Sequence, residues 1–184
     1  DNTSINSLDV SKNEKLNTLF ADSTSISNLD VTNNPNLEQL SCSNTGLMEL
    51  DVTHNPQLVT LDIGDTKVKT LDISKNPNLK QLSCYMTNIA ELDVTKNTKL
   101  TRLFCHDTTI KKLDLSNNLE LEMLRCGEIF EQGIRGLDIS KNTKIKKLIC
   151  DDLYWLNVGE NKVLENNHPF VDNGYIDIKG NKKE

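Results

Sequence analysis

The stretch Leu71–Glu91, LDISKNPNLKQLSCYMTNIAE, repeats along most of the chain at a spacing of 21 residues. Its opening Leu-Asp pair recurs at Leu8-Asp9, Leu29-Asp30, Leu50-Asp51, Leu92-Asp93 and Leu113-Asp114, and again after a step of 24 at Leu137-Asp138. A fixed period of about 20–30 residues marks a solenoid, because one such unit cannot bury its apolar face alone and must stack on its neighbours.

Within the quoted unit, apolar and polar residues alternate in L-D-I and again in L-S-C, which places one set on each face of an extended segment. The inward set is Leu71, Ile73, Leu79, Leu82, Cys84 and Ile89. Each buried side chain of this kind contributes about 1.5–3 kcal/mol, a gain that exists only if neighbouring turns cover both sides. A polar column runs through Asn13, Asn34, Asn55, Asn76, Asn97, Asn118, Asn142 and Asn161. An amide on a tight bend can satisfy backbone groups that an irregular corner leaves unpaired. Pro35, Pro56 and Pro77 follow three of these Asn residues and exclude helix there. Thr24, Thr45, Thr66, Thr87 and Thr108 form a second hydrogen-bonding column.

The 184 residues carry a formal net charge of −6 and are 36% apolar. That fraction is lean for a globule but sufficient for the thin core strip of a solenoid. An acidic chain is poorly suited to nucleic acid or to an anionic membrane surface. No run of about 18 apolar residues exists to span a bilayer. The opening residues hold no signal peptide, and Thr3 and Ile5 fill the columns of Thr24 and Ile26, so the chain reads as starting inside a repeat.

The pattern L-x-x-L-x-L-x-x-N/C-x-L of leucine-rich repeats reads onto Leu79-Lys80-Gln81-Leu82-Ser83-Cys84-Tyr85-Met86-Thr87-Asn88-Ile89, with Cys at the third apolar position and Thr at the Asn position. With the L-D-[VI]-[ST]-x-N segment and the 21-residue length, the chain from about Thr3 to Asn161 resembles the cysteine-ladder repeats of internalin-type bacterial surface proteins. The resemblance implies a curved solenoid with a short parallel sheet on its concave side, extracellular display and binding to another molecule. The expected fold is an α/β-type solenoid, mostly β and irregular. It is a right-handed leucine-rich repeat superhelix of seven full turns, with a short-stranded parallel concave sheet and a C-terminal β-hairpin cap.

Two turns break the period. The segment 127–136 carries three extra residues, with Ile129 and Phe130 among them, and the turn after Cys150 is shortened by two and brings Tyr154-Trp155. Beyond Leu164 the repeat ends, and residues 169–178 read as two strands around the Asn173-Gly174 turn. The solenoid is therefore assigned to 1–161 and a cap and tail to 162–184. Residues 153–178 are expected to cover the core end, with Trp155 buried in it.

Cys42, Cys84, Cys105, Cys126 and Cys150 share one inward column with Ala21 and Ile63, so the column reads as a packing site for small apolar groups. Inward parallel side chains give a poor torsion for bridging, and five reduced, buried thiols are expected. The D-x-[ST]-x-N copies superficially suggest a calcium loop. Their carboxylates form a row along extended chain rather than converging on one point, so a solvated structural row is expected and no metal. Lys12, Lys75, Lys96 and Lys141 stand three residues after Asp9, Asp72, Asp93 and Asp138 and offset the repulsion. No nucleotide, zinc-protease or nucleophile-elbow motif occurs, and His54, His106 and His168 sit in different columns, so no catalysis and no cofactor is expected.

The outward face of the strands is the candidate site. Tyr85, Met86, Arg102, Phe104, His106, Met123 and Arg125 cluster in adjacent turns, with the Ile129-Phe130 loop as a secondary candidate. Aromatic and Arg side chains are enriched at interface hot spots. Tyr85 and Phe104 point away from the Leu and Cys columns, so replacing both should leave the fold intact. Two functions follow: a secreted or cell-surface recognition module, monomeric, binding a protein or glycan through the concave face, or a spacer within a larger surface protein.

Overall fold

A computed structural model describes residues 5–127, 133–151, 153 and 155–159. Seven parallel strands, one from each turn, form a single sheet: β1 (Thr18–Phe20), β2 (Gln39–Ser41), β3 (Thr60–Asp62), β4 (Gln81–Ser83), β5 (Arg102–Phe104), β6 (Met123–Gly127) and β8 (Lys147–Asp151). A second, two-stranded parallel sheet joins β7 (Gly136–Asp138) to β9 (Trp155–Asn157) on the Leu-Asp side of the last turns. No helix occurs among the described residues. This is the short-stranded, leucine-rich solenoid that the 21-residue period predicts.

Register follows the columns. Leu19, Leu40, Leu61, Leu82, Leu103 and Leu124 lie side by side, and Leu148 continues the row across the 24-residue step. The extra residues of that turn are absorbed outside the strands, because a one-residue slip would send every inward side chain to the opposite face. Leu71, Ile73, Leu79, Leu82, Cys84 and Ile89 are all buried, as expected.

The corners explain the polar columns. In each described turn the Asn backbone N–H donates to the carbonyl three residues earlier and its carbonyl accepts from the Leu or Ile three residues later; Asn76 does so with Ile73 and Leu79, both at 3.1 Å. Pro35, Pro56 and Pro77 occupy the second position of the later bend, where a fixed φ near −65° suits a type I turn. From Asn34 to Asn142 the Asn side chain is buried and joins adjacent turns. Asn76 Nδ2 donates to Val52 O at 2.9 Å and to Asn55 O at 2.8 Å, one turn back. Asn34, Asn55, Asn97, Asn118 and Asn142 repeat the arrangement. Thr24, Thr45, Thr66, Thr87 and Thr108 each donate a hydroxyl to the carbonyl three residues earlier, closing the bend beyond the strand. The residue before each of these Thr is left-handed: Ser23, Asn44, Asp65, Met86 and Asp107 have φ between 52° and 55°.

The Asp column has a role that its sequence pattern conceals. Asp9, Asp30, Asp51, Asp72, Asp93, Asp114 and Asp138 each accept the backbone N–H two residues on, at 2.8–2.9 Å. The motif D-x-[ST] is thus a local turn in which the side chain stands in for a backbone acceptor. Hydrogen bonds from the Ser or Thr hydroxyl two residues on, together with those from its backbone N–H, hold all seven carboxyls below their usual value. Lys75, Lys96 and Lys141 add to the effect at Asp72, Asp93 and Asp138.

Two expectations are corrected. Cys126 and Cys150 form a disulfide, their Cα atoms 4.7 Å apart on the paired strands β6 and β8. Rotation about χ1 lets sulfurs on in-register neighbours turn toward one another, which the argument from parallel side chains overlooked. Cys42, Cys84 and Cys105 are free and buried, as expected. Trp155 is not in a core: it is 51% exposed, and its ring lies over Gly136, where a Cβ would sit 2.1 Å from it. The hairpin expected at 169–178 and the loop residues Ile129 and Phe130 lie outside the described residues.

Candidate ligand-binding face

Side chains that leave a strand opposite the Leu column form three rows across the sheet. The first runs Thr18, Gln39, Thr60, Gln81, Arg102, Met123, Lys147, and the second Phe20, Ser41, Asp62, Ser83, Phe104, Arg125, Ile149. The third, just past the Cys or its equivalent, includes Asp22, Ser43, Gly64, Tyr85 and His106. Neighbours within a row stand about 4.8 Å apart.

The two ends of this face differ in chemistry. Toward β1 to β4 it is acidic and hydroxylic. Asp22 Oδ1 accepts hydrogen bonds from the Ser41 and Ser43 hydroxyls and from the Ser43 N–H, the last two at 2.8 Å. Asp62 Oδ1 accepts the Gly64 N–H at 2.9 Å. Burial raises the Asp62 carboxyl above its usual range, with Asp22 adding to the shift. Burial, then Asp62, Asp65 and Asp22, push the Tyr85 hydroxyl upward.

Toward β5, β6 and β8 the face is cationic and apolar. Arg102, Arg125 and Lys147 are exposed, with Phe104, Met123 and Ile149 half-buried between them. Ion pairs among the described residues include Lys144 with Glu120 at 2.6 Å and Lys146 with Glu122 at 3.2 Å, both on the segments that lead into the strands. None engages Arg102, Arg125 or Lys147.

Of the residues singled out from the sequence, the structure brings Arg102, Phe104, Met123 and Arg125 into two adjoining rows. Tyr85 lies beside them but is half-buried. Its ring stacks on His106 with centroids 5.1 Å apart and covers Gly64, whose Cβ position would be 2.3 Å from a ring carbon. Tyr85 is therefore part of the packing, contrary to the expectation that it stands clear of the fold. His106 is only 8% exposed, beneath Tyr85 and 4.0 Å from the Asp107 carboxylate, so it supports the face rather than presenting itself. Met86 is exposed but occupies the left-handed corner column, outside the three rows. Sequence reasoning missed Lys147 and Ile149, which the 24-residue step hid and which the Leu124–Leu148 match could have revealed.

Burial disfavours the thiolate at each free cysteine: Cys42 and Cys105 are pushed up to about 12, and Cys84 is raised well above the ordinary thiol value. Among the described residues no group of three or more His, Cys, Asp or Glu could hold a metal ion. None of them forms a helix long and apolar enough to cross a membrane.

No protein-family profile matches the chain, and no curated protein matches its sequence. Solved structures do match. A leucine-rich repeat protein of Leptospira interrogans is 18% identical with a TM-score of 0.71, over 83% of this chain and 43% of that one. An internalin of Listeria monocytogenes is 17% identical with a TM-score of 0.70, over 89% and 50%. The ectodomain of a receptor kinase of Arabidopsis thaliana, solved in complex with Casparian strip integrity factor 2, is 15% identical with a TM-score of 0.64, over 77% and 19%. The chain has the leucine-rich repeat fold, and spans half or less of the length of each of these three proteins.

Proposed function

We propose that the chain is a non-catalytic recognition module of a secreted or surface-exposed bacterial protein, binding a macromolecular ligand through the concave sheet face. The observation that carries this reading is the surface of β5, β6 and β8, where Arg102, Arg125 and Lys147 form no ion pair among the described residues and surround partly exposed Phe104 and Met123. Leaving guanidinium groups unpaired on an otherwise acidic chain gains nothing for the fold. Aromatic and Arg side chains together are the usual anchors of protein interfaces. The fold is shared with a plant ectodomain solved with its partner, which supports recognition as a use of this architecture. The Cys126–Cys150 disulfide supports an oxidising compartment, where such bonds persist.

The test is a pair of baits, wild type and the variant Phe104→Ala/Arg125→Ala, each checked for unchanged circular dichroism. Partners retained by the wild type alone are purified and titrated against both. The reading requires at least a ~30-fold loss of affinity in the variant, the effect of losing hot-spot contacts. Equal affinities, or no partner that distinguishes the baits, would return the chain to the alternative role of spacer within a larger surface protein.

A further inference from the structure

On β5, β6 and β8 the first two rows alternate cation and apolar group in both directions. One reads Arg102, Met123, Lys147, and the other reads Phe104, Arg125, Ile149. Each cation is thus bordered by apolar side chains, and each apolar side chain by cations. The lysines leading into β8 pair with Glu120 and Glu122, whereas the three cations of the checkerboard have no ion-pair partner among the described residues. We infer that this surface takes an acidic polypeptide segment in which apolar side chains alternate with carboxylates, the carboxylates pairing with Arg102, Arg125 and Lys147 and the apolar groups resting on Phe104, Met123 and Ile149. The inference rests on the recognition reading above and adds the chemical class of the ligand.

Charge complementarity selects this occupant over two others. A basic or neutral segment would leave three cations desolvated without partners, and burying an unpaired charge is costly. A sulfated glycan would satisfy the cations but, densely hydroxylated and sulfated, covers Phe104, Met123 and Ile149 less well than alkyl and aromatic side chains do. A long polyanion would also run toward Asp22 and Asp62 on the same face, within a screening length or two at physiological salt. An acidic segment about three strands wide meets the cations and stops short of that acidic end. Arg suits the role, since its planar fork takes a carboxylate through two parallel hydrogen bonds.

The experiment uses the whole chain, immobilised, against a displayed library of random twelve-residue peptides. The best binders are then synthesised and titrated by fluorescence anisotropy. Heparin, titrated in the same assay, represents sulfated glycans. The expected result is enrichment of Asp or Glu interspersed with Leu, Ile, Phe or Met. Affinity should fall about three- to tenfold for each of Arg102→Gln, Arg125→Gln and Lys147→Gln, and about 30-fold or more for the triple variant. It should also weaken as salt rises from about 50 to 200 mM. Peptides that lose affinity with Phe104→Ala yet ignore the three Gln substitutions would overturn the acidic class and leave the recognition face standing. Heparin binding that the Gln variants abolish, with no acidic peptide selected, would overturn it in favour of a glycan. Failure of any probe to depend on these six residues would overturn both readings.

Discussion

Replacing Asn76 by Ala tests the physical account of what joins one turn to the next. The side chain is wholly buried, and Nδ2 donates to Val52 O at 2.9 Å and Asn55 O at 2.8 Å. Both carbonyls keep another partner, since Val52 O also accepts the Asn55 N–H and Asn55 O the Leu58 N–H, each at 3.1 Å. The large penalty for a wholly unpaired buried carbonyl therefore does not apply. Two lost hydrogen bonds at a net ~1 kcal/mol each, plus a small cavity, give a destabilisation of about 2–3 kcal/mol. Removal of Oδ1, which accepts no hydrogen bond from the protein, recovers part of that. Asn76→Asp keeps the shape but turns an acceptor toward two carbonyl oxygens, and should cost more than Ala at pH 7. Urea unfolding followed by circular dichroism measures both, with exposed Asn33→Ala as the control expected within about 0.5 kcal/mol of wild type. A reduced m-value would show the two halves of the solenoid unfolding separately, as one weakened interface in a linear stack allows. An Asn76→Ala variant no less stable than Asn33→Ala would refute the claim that the Asn ladder couples the turns.

Further outcomes are expected. Without reductant, native protein should show no reactive thiol and denatured protein three, Cys42, Cys84 and Cys105, rising to five on reduction; five without reductant would exclude the Cys126–Cys150 bond. Removing that bond by Cys150→Ser should lower stability by about 3.5 kcal/mol, the chain-entropy value for a loop of its 24-residue separation. Met86→Asn should raise stability by about 0.5–1 kcal/mol in the same urea assay, because Met86 sits at φ 52° where Asn is tolerated and Asn44 occupies the same column. Stability should decline as pH falls through and below the ordinary carboxylate range. The seven Asp carboxyls held below their usual value contribute fully above the unfolded-state pKa and lose that contribution as each protonates in the folded state. Asp62 runs the other way, its raised pKa making ionisation unfavourable to folding, so Asp62→Asn should flatten none of the acid decline and should not weaken the protein at pH 7.

The inward columns were legible because stacking forces every turn to repeat the same decision. Leu82 has Leu61 on one side and Leu103 on the other, so an apolar residue missing from that column would be visible as a fault in the period. The Asn column was legible for the same reason, although its bonds to the preceding turn had to be seen in the structure. What escaped was local. The left-handed corner is held by Ser23, Asn44, Asp65 and Asp107, residues common in any loop, and Met86 breaks even that weak signal. The disulfide escaped because a side-chain rotation about χ1 decides it, and nothing in the spacing reports a rotamer. Tyr85 was misread because its partner is an absence of side chain: Gly64 leaves the space that the ring fills.

The outward rows obey no such repetition, and this allows the two ends of the face to carry opposite charge. The backbone register is set by the Leu column and by the Asn and Thr bonds at the corners, so changing Ser83 to Phe104 to Arg125 along one row leaves the strands where they are. Phe20, at the far end of that row, is 64% exposed and lies between acidic Asp22 and polar Thr18, in a setting unlike that of Phe104. A partner reaching from one end to the other would meet Asp22 and Asp62 first and Arg102, Arg125 and Lys147 afterwards. Laid in the reverse direction, its carboxylates fall beside those of the chain, with repulsion of about 1 kcal/mol per close pair even in bulk water. A ligand bound as proposed and long enough to span the face would thus be favoured in one orientation, and adding salt would weaken that preference by screening the attractive and the repulsive contacts alike.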